Sequence, residues 1–225
     1  MRHSDFCRQF TPAGGRVLDL GAGRGQFAVE MAAAGFSVYG VEPSEAYLTE
    51  ARARAEARAV SVTLVRGEGE RLPFPDQYFD FVNCSEVTEH VENPTEVCRE
   101  IFRSLKTGGH AYISFHNRFG LYDYHYHLWG INLLPRSLSE VLLCLFGRSK
   151  EDSSSIGRQR LLTMHYYTYT GARRLLSSLG FSVRDIREEK IRARYGRFAT
   201  MLLPIYGLVL RPLYFNTFHL LAVKG

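Results

Sequence analysis

An apolar run, Arg16-Val17-Leu18-Asp19-Leu20, stops abruptly at Gly21-Ala22-Gly23-Arg24-Gly25, and a helix-like stretch, Gln26 to Ala34, follows. The order is strand, glycine turn, helix, and it constrains the fold more than any other feature of the chain. The alternation then continues. Phe36 to Val41 reads as a second strand ending in Glu42, and Ser44 caps an Ala/Arg/Glu-rich helix running to about Ala57. Val60 to Val65 reads as a third strand, Tyr78 to Asn83 as a fourth, Pro94 to Leu105 as a helix, and His110 to Phe115 as a fifth strand after the Gly108-Gly109 turn. Strands alternating with helices predict βαβ units and a Rossmann-like α/β fold, a seven-stranded mostly parallel sheet with helices on both faces.

After His116 the alternation fades. Residues 117–165 are aromatic-rich, with an amphipathic helix expected near Ser137 to Phe146 and a polar segment from Lys150 to Arg160, so they read as a cap inserted after strand five. The alternation resumes with a helix from Thr170 to Leu179, a stop at Gly180, a sixth strand opening at Phe181-Ser182-Val183, and a last strand over Thr217 to Lys224. One domain, 1–225, containing the 117–165 insertion is the economical division.

Composition narrows the class further. With 225 residues, 45% hydrophobic and 23% charged, the chain suits one globular domain and excludes a disordered, collagenous or coiled-coil protein. Its longest apolar stretch, Phe198 to Leu210, is interrupted by Pro204 and Gly207 and falls short of the ~20 residues that span a bilayer. The start, Met1-Arg2-His3-Ser4-Asp5, lacks the apolar core of a signal peptide, which predicts a cytoplasmic protein. Cys7, Cys84, Cys98 and Cys144 form no Cys-x-x-Cys pair and read as free thiols. Charge is uneven: residues 1–120 carry 13 basic and 16 acidic side chains, residues 121–225 carry 15 and 7. Such a basic half suits an anionic membrane surface, a phosphorylated substrate or simply a solvated face.

A glycine turn after a first strand brings backbone amides to a ligand, and an acidic residue ending the second strand, here Glu42, can hold a ribose diol. The spacing is nevertheless G-x-G-x-G, with Gln26 where a dinucleotide fingerprint places its third glycine. Asp19 would also repel a pyrophosphate. A cationic nucleoside such as S-adenosylmethionine, which carries a sulfonium and an ammonium and no phosphate, fits the carboxylates better.

Val17 to Gly25 resembles the first motif of class I S-adenosylmethionine-dependent methyltransferases, type 11 small-molecule group. Arg66 to Asp76 followed by Phe79-Asp80, then Cys84 to Val91, then Leu105 to Gly109 resemble that family's later segments, so the likeness spans roughly residues 11 to 116. By this resemblance Asp19, Gly21 and Gly23 surround the methionine part of the cofactor, Glu42 holds the ribose, Glu68 with the amide of Gly69 reads adenine, and Ser85 lines the pocket. The sequence departs from the usual pattern in having Glu68-Gly69 where Asp and Ala are more common.

Methyl transfer from a sulfonium needs an aligned nucleophile and, for an oxygen acceptor, a base. His90, His116, His125 and His165 stand near the expected site. His165 is the preferred base and His116 the second choice, although each could instead be packed among tyrosines. Glu86-x-x-Glu89-His90 is similar to a spacing in ubiquinone-biosynthesis O-methyltransferases that can hold a divalent ion; with no fourth protein ligand in view, a site without metal is expected. Seven aromatics between Tyr112 and Trp129 suggest a pocket wall for a ring or lipid tail, and closure of the site is expected from the insertion, since only about 15 residues precede the first strand. Lys190, Arg192, Arg194 and Arg197 beside the Phe198–Leu210 stretch suit an anionic membrane surface. The expected activity is S-adenosylmethionine-dependent O-methylation of a small hydrophobic or lipid-linked acceptor. The alternative is a cofactor-binding scaffold without catalysis. A nucleic-acid partner is not expected, and oligomeric state stays open.

Overall fold

A computed structural model of the chain describes residues 2–147 and 160–225. Seven strands form one sheet in the order β3-β2-β1-β4-β5-β9-β8. β1 (Arg16–Leu20), β2 (Ser37–Glu42), β3 (Thr63–Arg66), β4 (Phe79–Cys84) and β5 (Leu105–His116) run parallel, and β9 (Thr217–Lys224) inserts antiparallel between β5 and β8 (Phe181–Asp185). The Rossmann-like arrangement expected from the alternation is present. β3 starts three residues later than its apolar pattern suggests. β5 starts at Leu105, before the glycine pair, and its pairing with β4 shifts register between Phe79 and Phe81.

Helices cover both faces. α4 (Pro94–Ser104) and α6 (Tyr169–Ser178) bury Val97, Cys98, Ile101, Ala172 and Leu176 against one face of the sheet. α1 (His3–Cys7), α2 (Gln26–Ala33) and α7 (Ile186–Tyr195) bury Phe6, Ala28, Met31 and Ile186 against the other. Local chemistry sets the ends: Ser44 accepts the Tyr47 amide to start α3 (Glu45–Ala57), Asn93 caps α4, and Gly180, at φ +100°, follows α6. Cys7, Cys84 and Cys98 are buried free thiols and Cys144 is an exposed one.

The insertion has a small core of its own, Tyr126, Ile131, Leu143, Leu161 and Met164. It contains the two-residue strands β6 (Tyr122–Asp123) and β7 (Leu128–Trp129) and helix α5 (Arg136–Leu145). Most of the polar segment expected over 150–160 lies outside the described residues. The fully buried Asp123 organises the remainder, accepting hydrogen bonds from the amides of His125 and Tyr126, from Asn132 Nδ2 and from the Tyr166 hydroxyl. The aromatic run does not form one wall: Phe115 and Tyr126 are buried, whereas Phe119, Tyr124 and Trp129 are exposed. Beyond α7, α8 (Ala199–Ile205) and a π-helical segment (Tyr206–Tyr214) carry the Phe198–Leu210 stretch as an exposed ridge, and no described helix is long and apolar enough to cross a membrane.

Candidate functional site

Parallel strands end together, so polar residues at their carboxyl ends meet across the sheet. Asp19 pairs in register with Asn83, and Asn83 with Tyr112. Period-2 alternation then places Asp19, Asn83, Tyr112, Ser114 and His116 on one face. A cavity of about 480 Å³ opens at the Asp19–Asn83 end of this row, walled by Asp19, Gly21 and Ser85 together with His3, Phe27 and Asn83.

Asp19 is 2% exposed and accepts a 2.7 Å hydrogen bond from Asn83 Nδ2. Burial pushes its carboxyl up to about 7, against the opposing pull of the Asn83 and Ala28 hydrogen bonds. Asn83 Oδ1 lies 2.8 Å from His3 Nε2, so with this amide orientation the imidazole donates. Burial holds His3 below the ordinary histidine range. His3, the first residue of α1, thus lines the cavity together with Arg2.

Glycine is required at the turn for steric reasons. Gly21 has φ +71°, and a Cβ there would sit 2.3 Å from Val87 Cγ2. Glu42, 6% exposed, accepts the amides of Gly23 at 2.9 Å and Ser44 at 3.0 Å, so it pins the glycine turn to the start of α3. Gly69 is buried beside Val97 and Leu20, while Glu68 is exposed. Of the seven residues assigned to the cofactor from sequence, Asp19, Gly21 and Ser85 line the cavity directly. Gly23 and Glu42 hold its turn in shape, and Glu68 and Gly69 lie outside this cavity's wall.

The loop after β4 leads from the cavity to a second cluster. Glu86 sits at φ +57°, a left-handed conformation unusual for its type, and its amide donates to Ser114 Oγ at 2.7 Å. Thr88 Oγ1 donates to the Ser114 carbonyl. Thus anchored, the loop presents Glu89, with a fully buried side chain, 3.3 Å from His116 Nδ1 and 3.6 Å from His90 Nε2. Beyond these ion-pair contacts, neither Glu89 oxygen and neither His116 nitrogen has a well-aligned hydrogen-bond partner among the described residues. Burial opposes charge on both groups, yet their mutual attraction prevails: His116 lies above its usual range and Glu89 below its own. The insertion closes over them, with the His125 and Tyr166 rings 4.3 and 5.0 Å from that of His116.

Donor atoms of Glu86, Glu89 and His116, and those of Glu89, His90 and His125, each fall within 4.8 Å of one another. Carboxylate and imidazole donors of this kind fit a divalent ion, which would acidify a bound hydroxyl. The sequence spacing gave no sign that His116 and His125 join the cluster. His165 is not one of these grouped donors; its backbone amide donates to the Glu89 carbonyl. Asn117 and Arg118 are used elsewhere: Asn117 Nδ2 reaches the Pro212 and Phe215 carbonyls, and Arg118 those of Asn132 and Leu134. The sequence reading missed Asn83, His3 and Ser114. The legible signal for Asn83 and Ser114 was a polar side chain within an otherwise apolar parallel strand.

Residues 18–113 match the family model described as a methyltransferase domain. Over 108 residues the chain is 40% identical to a ubiquinone biosynthesis O-methyltransferase of Pseudomonas fluorescens, covering 47% of this chain and 46% of that one. The chain therefore spans about half the length of the curated relatives it matches. Its fold superposes on a S-adenosylmethionine dependent methyltransferase from Mesorhizobium loti with TM-score 0.64 and 21% identity, covering 98% and 96% of the two chains. It also superposes on phosphoethanolamine N-methyltransferase 2 of Haemonchus contortus, solved with S-adenosyl-L-methionine, with TM-score 0.62 and 20% identity over 98% and 52%. The matched segment ends within β5, so the insertion, α7, the exposed ridge and β9 all lie outside it.

Proposed function

We propose that this chain transfers the methyl group of S-adenosylmethionine to an oxygen of a small hydrophobic or lipid-linked acceptor. The observation that carries the reading is the row on one sheet face: a buried acid, Asp19, at the cavity and a histidine–carboxylate pair, His116 and Glu89, at the other end. Asp19 and Asn83 meet the cationic methionine part, the turn pinned by Glu42 lies along the ribose, and Glu68 with Gly69 flanks the adenine end.

In the reaction the acceptor oxygen attacks the methyl carbon in line. The carbon–sulfur bond breaks with its electron pair going to sulfur, leaving a neutral thioether, and the hydroxyl proton passes to His116. Positioning supplies much of the rate and a well-placed base ~10²–10⁴. Glu89 stabilises the imidazolium so formed. His116 has a better claim than His165 because it is the one adjoining a buried carboxylate.

The test is twofold. Calorimetry should show one S-adenosylhomocysteine site that Asp19→Ala weakens severely, and labelled cofactor should pass its methyl to a member of a hydroxylated acceptor library. Binding without transfer across the whole library would leave the cofactor-binding scaffold as the better account.

A further inference from the structure

Two more cavities continue from the first toward the exposed ridge. One, of about 290 Å³, shares Arg2 and His3 with the cofactor cavity and is floored by Tyr112 and His219, whose side chains are hydrogen-bonded to each other. The next, of about 280 Å³, shares Arg187 and Lys190 with it and runs between α7 and the π-helical segment past Ile191, Tyr206, Leu210 and Phe215. The first of the two is cationic and the second apolar with a basic rim. Among the described residues no carboxylate lines either.

The positive field is built in. Arg187 is fixed by its bond to the Thr217 carbonyl and by its stack over Phe215, 4.0 Å from the ring centroid. Burial, then the charges of Arg187 and Lys190, push His219 down to about 3, so a neutral imidazole faces whatever enters. The apolar groove opens onto a ridge whose Met201, Ile205 and Leu208 are 71%, 56% and 78% exposed.

We propose that these two cavities bind the methyl acceptor as an anionic amphiphile, with its acidic head between Arg2, Arg187 and Lys190 and its hydrocarbon tail along Ile191 and Leu210. The assignment rests on the methyltransferase reading above and names its substrate class. A phosphate or carboxylate head would meet arginine and lysine in a lining that holds no carboxylate among the described residues. The head cavity adjoins the cofactor cavity along Arg2 and His3, so a hydroxyl near the head would face the methyl donor while the tail leaves toward the ridge.

Octyl phosphate below its micelle concentration is the probe, titrated into the full chain with and without S-adenosylhomocysteine. Expected are one saturable site, an affinity rising about fourfold per methylene from hexyl to octyl, and little binding of neutral octyl glucoside. Lys190→Glu should weaken octyl phosphate at least tenfold, Leu210→Asp should abolish the chain-length dependence, and both variants should bind S-adenosylhomocysteine as the parent does. Unchanged affinity in Lys190→Glu would overturn the proposal. Binding to phosphatidylglycerol vesicles but not to monomeric octyl phosphate would overturn it too, making this face a membrane-contact surface. Loss of S-adenosylhomocysteine binding by the parent chain would instead count against the methyltransferase reading.

Discussion

Replacing Asp19 by asparagine separates the fold's interest from the cofactor's. The parent carboxyl titrates near 7 when folded, against 3.8 for an ordinary aspartate, because it is buried. A folded pKa above the unfolded one means that the folded chain holds the proton more tightly. The stability this lends is full below about pH 4 and is lost as pH rises through about 7. Between pH 5 and pH 8 the loss amounts to about 2.5 kcal/mol. Asparagine cannot ionise and can still accept from Asn83 Nδ2, so urea unfolding of Asp19→Asn should lack this pH-dependent component while the parent shows it. Cofactor binding should move oppositely. The ammonium of S-adenosylhomocysteine beside Asp19 favours the charged form, so the parent's affinity for it should fall as pH drops below about 7. At pH 8 the variant should bind on the order of tenfold to a hundredfold more weakly, as expected for one lost charge pair in a partly screened site. Equal pH slopes of stability in both proteins, or parent-like affinity in the variant, would refute the reasoning.

Gly21→Ala should impair both folding yield and cofactor binding, because its Cβ would strike Val87 in a left-handed turn; thermal unfolding and calorimetry check this. His116→Ala should lower turnover ~10²–10⁴ with S-adenosylhomocysteine affinity nearly unchanged, whereas His165→Ala should cost far less; the reverse ranking in steady-state assays would return the base to His165. Dialysis against a chelator should leave turnover intact, since the Glu89–His116 pair is proposed to work without metal, and a loss reversed by magnesium or zinc would assign the cluster to an ion. Ser114→Ala should reduce kcat more than it changes the cofactor's KM, because it removes the Oγ that accepts the Glu86 amide and loosens the start of the loop leading to Glu89.

Element types were legible because hydrophobic period and punctuation agreed, as at Ser44, Asn93 and Gly180. Boundaries drifted where pairing overrode local preference: β5 starts ahead of Gly108-Gly109 because Leu105 already pairs with Phe79 of β4, before the register shifts and His110 pairs with Phe81. Half of the candidate site was legible as well. Asp19, Gly21 and Ser85 could be placed because each lies next to a strand end. The remainder depends on contacts between residues far apart in sequence. Asn83 meets Asp19 across a strand pair, His3 reaches the cavity from α1, and Glu89 meets His116 only because Ser114 anchors the intervening loop. No spacing rule encodes such contacts. The aromatic run illustrates the opposite error, since density in sequence said nothing of direction: Trp129 is 73% exposed while Tyr126 is buried.

The central claim is that the methyl of S-adenosylmethionine, bound over Asp19 and Asn83, passes to an oxygen deprotonated at His116. A single-turnover reaction with isotope-labelled methyl, read by NMR of the product carbon, tests it most directly. The account predicts a methoxy carbon, formed by the parent chain and scarcely by His116→Ala. An N-methyl or C-methyl product, or a methoxy product formed equally by both chains, would contradict it.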